Sequence, residues 1–174
     1  MNGKRSRGTG KKMDEGIDET ADETFMRAAI KKAREGICKG QTPFGACITG
    51  DGKMVACAHN TVWKDIDATA HAEVNAIREA NRRLETVDLS GCTIYSTTEP
   101  CPMCFSAIHW AHIGKIVYGA SIEDAKKAGF NEMDLSNKRL DGIARTGVDI
   151  KAGVLRKECK ALFDEWAKKG GKPY

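Results

Sequence analysis

Phe25, Ala29, Ala33 and Ile37, with Met26 and Ile30 beside them, recur every three or four residues. That spacing lays one apolar stripe along a helix. The run follows Thr20-Ala21-Asp22-Glu23, which has the spacing of a capping box. An amphipathic first helix is predicted, ending near Gly36 or Gly40. Phe44–Thr49 and Met54–Ala58 read as two strands joined at Gly50-Asp51-Gly52, a strong hairpin signal. Asp67-Ala68-Thr69 opens a second helix over 70–84, supported by Ala70, Val74, Ile77 and Leu84. Cys92–Thr97, rich in β-branched residues, predicts a third strand. A helix from about Cys101 to His112 follows, then a fourth strand over Lys115–Ala120 and a short helix over Ser121–Ala128. An irregular stretch runs from Gly129 to about Gly147, and Val148-Asp149-Ile150 reads as a short fifth strand. Leu155, Leu162, Phe163 and Trp166 give the last helix, Val154–Lys168, its apolar face. The order β-β-α-β-α-β implies an α/β fold, a sheet of about five strands flanked by helices.

Composition divides the chain in two. Residues 1–20 are polar and charged with almost nothing to bury, so they are expected to be a disordered tail. Residues 21–174 are expected to form one domain. Residues 1–12 hold Lys4, Arg5, Arg7, Lys11 and Lys12 and no acid, so the net charge of +4 leaves the rest nearly neutral. A basic tail can bind nucleic acid, but a neutral body does not offer a surface for a phosphate backbone. No apolar run approaches the roughly 18 residues of a membrane span, and the first residues do not read as a secretory leader. A cytoplasmic location is the expectation.

Seven cysteines, an odd number with only one close pair, point to reduced thiols and a metal site in preference to a disulfide framework. The close pair lies in Pro100-Cys101-Pro102-Met103-Cys104, and upstream stands His71-Ala72-Glu73. Catalytic zinc takes three protein ligands and leaves a fourth position to water, whose pKa it lowers to about 7. His71, Cys101 and Cys104 supply three donors, and Glu73 is placed to carry the water's proton. This H-x-E…P-C-x-x-C pattern is the signature of zinc-dependent nucleobase deaminases. A redox C-x-x-C would leave His71 and Glu73 unexplained. A closed, non-catalytic zinc module would need a fourth ligand from Cys47, Cys57, Cys92 or Cys159.

These residues resemble the cytidine deaminase-like superfamily, which implies a three-layer α-β-α architecture with a mixed central sheet and one Zn2+ per chain. Pro43-Phe44-Gly45-Ala46, Ile108-His109-Trp110-Ala111, Ala128-Gly129-Phe130 and an aromatic Tyr174 look like bacterial guanine deaminases. That resemblance implies a small nucleobase substrate, with Asn60 and the Ala72 backbone holding the base and Phe44 and Trp110 lining its pocket. Glu132 would read the guanine amidine edge. Tyr174 would close the site from a tail exchanged within a homodimer. Val148–Leu155 followed by Glu158-Cys159 resembles tRNA adenosine deaminases instead. Asn131-Glu132 stands where many guanine deaminases have two Asp residues, which leaves guanosine, cytosine or another amino-heterocycle as further alternatives.

Overall fold

The structure, a computed structural model, describes residues 20–174. The tail expected over residues 1–20 therefore lies, apart from Thr20, outside the described residues. Helix α1 (Ala21–Cys38) starts at the expected capping box: Glu23 N–H donates to Thr20 Oγ1 at 3.3 Å and Thr20 N–H to Glu23 Oε2 at 2.9 Å. Its stripe of Met26, Ala29, Ile30, Ala33 and Ile37 is buried.

Strands β1 (Gly45–Gly50) and β2 (Lys53–His59) form the hairpin. Helix α2 (Val62–Asp65) and helix α3 (Ala72–Leu84) lead to β3 (Thr93–Thr98). Helix α4 (Pro102–Trp110), β4 (Lys115–Ala120), α5 (Ile122–Lys127), α6 (Asn137–Ala144), β5 (Asp149–Lys151) and α7 (Arg156–Lys168) complete the order. The sheet runs β2-β1-β3-β4-β5. β1 pairs antiparallel with β2 and β3, whereas β3–β4 and β4–β5 are parallel.

Register sorts side chains between two layers because alternate residues of a strand point to opposite faces. Cys47, Tyr95 and Val117 lie abreast and pack with α1 and α7. Their neighbours Ile48, Ile94 and Ile116 pack on the other face with Ala72, Ala76 and Ala80 of α3 and Phe105 and Ile108 of α4. Each large apolar side chain so buried contributes about 1.5–3 kcal/mol. The result is the three-layer α-β-α architecture with a mixed sheet. Gly45 lets α1 press directly on β1, since a Cβ there would collide with the Ala29 and Ala33 backbone.

Three features depart from the sequence reading. Helix α2 has four residues, too few to show a period. Helix α6 occupies part of the stretch read as irregular; Ser136 caps it, but only Asn137 is buried, so it carries no apolar stripe. Cys47 and Cys57 were expected as free thiols and instead form a disulfide. Antiparallel register sets them directly opposite, with Cα atoms 4.1 Å apart, a relationship their ten-residue separation hides. Cys38, Cys92, Cys101, Cys104 and Cys159 are free. Among the described residues, no helix is long and apolar enough to cross a membrane.

Candidate active site

Two helix starts meet below the sheet. His71 is the N-cap of α3 and Cys101 the N-cap of α4, both with extended backbone, and Cys104 sits in the first turn of α4. Unpaired amides and the positive end of each helix dipole favour negative charge there, which suits thiolates. His71 Nδ1 lies 3.7 Å from Cys101 Sγ and 3.5 Å from Cys104 Sγ, and the three donors fall within 4.8 Å of one another. Zinc bonds of about 2.3 Å to sulfur and about 2.05 Å to nitrogen, at a tetrahedral angle, separate those atoms by about 3.6 Å. The donor set and its spacing fit zinc. Without the ion, the hydrogen bond from the Cys104 thiol holds Cys101 far below the usual thiol range, at about 4, while the same contact and burial push Cys104 up. Burial pulls His71 down, but its hydrogen bond to Cys101 and the charges of Glu73 and Cys101 raise it overall.

Glu73 occupies the first turn of α3, with 6% of its surface exposed. Ser96 Oγ, from β3, donates to Glu73 Oε1 at 2.8 Å. The other oxygen, Oε2, lies 3.5 Å from Cys104 Sγ. Burial raises this carboxyl's pKa, which suits a group that must carry a proton as well as release one.

A cleft of about 160 Å3 opens over the donors, walled by Pro102, Met103, Phe130, Glu132 and Tyr174. At its inner end Phe44, Glu73, Thr98, Glu99 and Glu132 meet His71 and Cys101. Phe44 and Phe130 pack edge to face, 4.8 Å between ring centres. Burial, then the charges of Cys101 and Glu73, push the Glu132 carboxyl up to about 7. Glu132 lies outside any helix or strand, and buried Glu99 fixes where its loop runs. Glu99 Oε1 accepts Asn137 N–H at 2.8 Å, Oε2 accepts Ile122 N–H at 3.3 Å, and the Asn137 amide donates to Pro100 O. The stretch from the start of α5 to the start of α6 is thus anchored at both ends beside the cysteine motif.

The family model of the cytidine and deoxycytidylate deaminase zinc-binding region matches residues 19–120. The chain belongs to this deaminase family. It is 45% identical over 111 residues to guanine deaminase of Bacillus subtilis (strain 168), covering 63% of this chain and 71% of that protein. It is 37% identical over 154 residues to tRNA-specific adenosine deaminase of the same strain, covering 86% of this chain and 93% of that protein. A solved structure of guanine deaminase from Nitrosomonas europaea matches with a TM-score of 0.78 at 29% identity, covering 84% of each chain. The chain is a hydrolytic deaminase of a zinc-binding family, and its His71, Cys101 and Cys104 cluster could hold the metal.

Within this deaminase, Asn60 is wholly buried at the end of β2. Its Oδ1 accepts Val62 N–H at 3.0 Å, which turns Nδ2 toward Tyr174 Oη, also at 3.0 Å. Tyr174 Oη lies 2.8 Å from His71 Nε2. With Nδ1 given to a metal, Nε2 carries the ring proton and donates to that hydroxyl, a partner that fixes the ring. In this single chain Tyr174 reaches its own His71. Ala72 is buried at the start of α3, where its N–H has no intrahelical partner.

Trp110 does not join the cleft. It ends α4, nine residues past Cys101 and so about 13 Å further along the axis, and is 78% exposed. The expectation that it lines the pocket is corrected within this chain. Sequence reasoning did not find Ser96, Glu99 or Asn137. Glu99 beside the motif proline was the one available signal.

Proposed function

We propose that this deaminase hydrolyses guanine to xanthine and ammonia, with residues 21–174 as the catalytic unit. The observation that supports it is that, of three carboxyl groups at the inner end of one cleft beside His71 and Cys101, Glu99 is taken up by the Ile122 and Asn137 N–H groups, which leaves Glu73 and Glu132 for a ligand. In guanine the amine-bearing carbon lies between two ring nitrogens, one with a lone pair and one bearing N–H. Glu73 serves the first by delivering a proton, and Glu132 serves the second by accepting its hydrogen bond. Adenine and cytosine have a carbon on that second side. There the Glu132 carboxylate would face a C–H in cytosine, or a ring-fusion carbon without hydrogen in adenine, and a buried polar group without a partner costs about 1–3 kcal/mol or more.

Bound zinc supplies a nucleophile at neutral pH by acidifying water. Glu73 takes the proton from the attacking water and passes protons to the ring nitrogen and then to the departing amine. One water is consumed and one ammonia leaves. Ser96 keeps Glu73 Oε1 occupied, so that Oε2 faces the reacting atoms. The Asn60 amide donates to an acceptor on the base, and the Phe44 and Phe130 rings exclude water from one side.

A second reading, tRNA adenosine deamination, is favoured by the 37% identity that spans 93% of such a relative. Tyr174 over the cleft weighs against it, because a polymer needs open access. Ammonia release from zinc-loaded protein tests both, with guanine, guanosine, cytosine, cytidine, adenine and an adenosine-bearing tRNA anticodon stem as substrates. Turnover of guanine supports the proposal; turnover confined to the RNA replaces it with the second reading.

A further inference from the structure

After α7 the chain turns at Gly170, which has φ +70°, and runs back across the mouth of the cleft. Gly171 lies against the Trp166 ring so closely that any Cβ would collide with the indole. The next anchor is Trp63 on α2, which no motif singled out. Its Nε1–H donates to Lys172 O at 3.1 Å, and its ring meets Tyr174 edge-on with 6.3 Å between centres. Trp63 is joined to the substrate-facing side as well, since its neighbour Val62 donates to Asn60 Oδ1. Asn60 Nδ2 meanwhile gives its hydrogen bond to Tyr174 Oη. One of the two N–H donors that the proposed reaction offers to the base is therefore held by the closing segment, and a base that takes this hydrogen bond displaces the Tyr174 hydroxyl.

We propose that Trp63 is the latch of this gate, a positioning residue that tethers Lys172 so that Tyr174 swings off Asn60 for the base and returns without the whole segment peeling away. The tether sets what enters. A flat free base needs only the hydroxyl displaced, whereas a base carrying a ribose needs the segment lifted from Trp63. This inference rests on the guanine reading for its substrate and on geometry alone for the latch.

The test compares zinc-loaded wild type, Trp63→Phe, which keeps the ring and removes the donor, and a form lacking residues 170–174. One neutral hydrogen bond shifts a closing equilibrium by roughly five-fold. Trypsin should cut after Lys169 several-fold faster in Trp63→Phe than in wild type, at equal zinc content and with the domain body, residues 21–167, protected. KM for guanine should rise about five-fold with kcat within two-fold, the truncated form should show a larger rise, and the guanosine-to-guanine ratio of kcat/KM should increase in both. A cleavage rate unchanged by Trp63→Phe overturns the latch. So does a truncated form with raised KM beside a Trp63→Phe enzyme with wild-type kinetics. Should no form deaminate guanine, the substrate reading fails, while the cleavage rates still decide the latch.

Discussion

Ser96 Oγ, pointing from the central strand β3, donates to Glu73 Oε1 at 2.8 Å across the gap to the first turn of α3. One bond between a strand and a helix start thus fixes which carboxylate oxygen faces the zinc donors. A Gln at position 73 can accept the same bond yet cannot carry a proton. Glu73→Gln should keep zinc and lose about 10^2–10^4-fold or more in kcat. Elemental analysis alongside steady-state rates checks this, and activity within a few-fold of wild type would sink the proton-carrier assignment.

Ser96→Ala should leave Glu73 in place but free to turn. Hydrogen bonds to charged groups are worth about 1.5–3 kcal/mol, so kcat should fall about ten- to hundred-fold with KM nearly unchanged. A loss confined to KM would mean that Ser96 acts on binding instead.

At the inner end of the cleft, Glu132→Ala removes the proposed acceptor for the guanine N–H. Guanine kcat/KM should drop about ten- to hundred-fold, with zinc content and Tm close to wild type. Unchanged guanine kinetics would place the specificity elsewhere and reopen the choice of substrate.

Chelation of the metal should abolish turnover and preserve the fold. The two apolar layers that hold the sheet are formed without His71, Cys101 or Cys104. Far-UV circular dichroism of the apo-protein should match the zinc-loaded form, with a lower Tm. Unfolding on chelation would identify a structural zinc module.

Asp124 anchors α5 to α7. Its side chain is 1% exposed and accepts Arg156 Nε at 3.0 Å and Lys160 Nζ at 3.2 Å. Burial pushes its carboxyl up, but the Ser121 backbone, Lys160 and Arg156 more than offset this and lower its pKa. A folded pKa below the unfolded value stabilises the protein above pH ~4, and that contribution is lost as pH falls through the folded pKa. Asp124→Asn should cost about 1–3 kcal/mol at pH 7, toward the low end because both cations are half exposed. Urea unfolding should show the gap closing toward pH 3; an equal gap at both pH values would rule out the charge as its source.

His71, Glu73, Cys101 and Cys104 stood out because two short motifs mark them in the sequence, and the structure brings them together at two helix starts. The apolar periods of α1 and α3 were legible because one face of each helix packs on the sheet. Helix α6 was not, since it rides on the surface, and Trp110 was misplaced because identity alone does not say how far along a helix a side chain lies.

The sequence by itself determined the layered α/β order and singled out candidate metal donors and a candidate proton carrier, from local periodicity and two short motifs. Tertiary structure alone decided the rest: Cys47 opposite Cys57, Glu99 holding the Glu132 loop, and Trp63 gripping Lys172. The first crosses a hairpin, and the other two join segments far apart in the chain. Strand register and chain reversal, which emerge only when the whole core packs, bring them together.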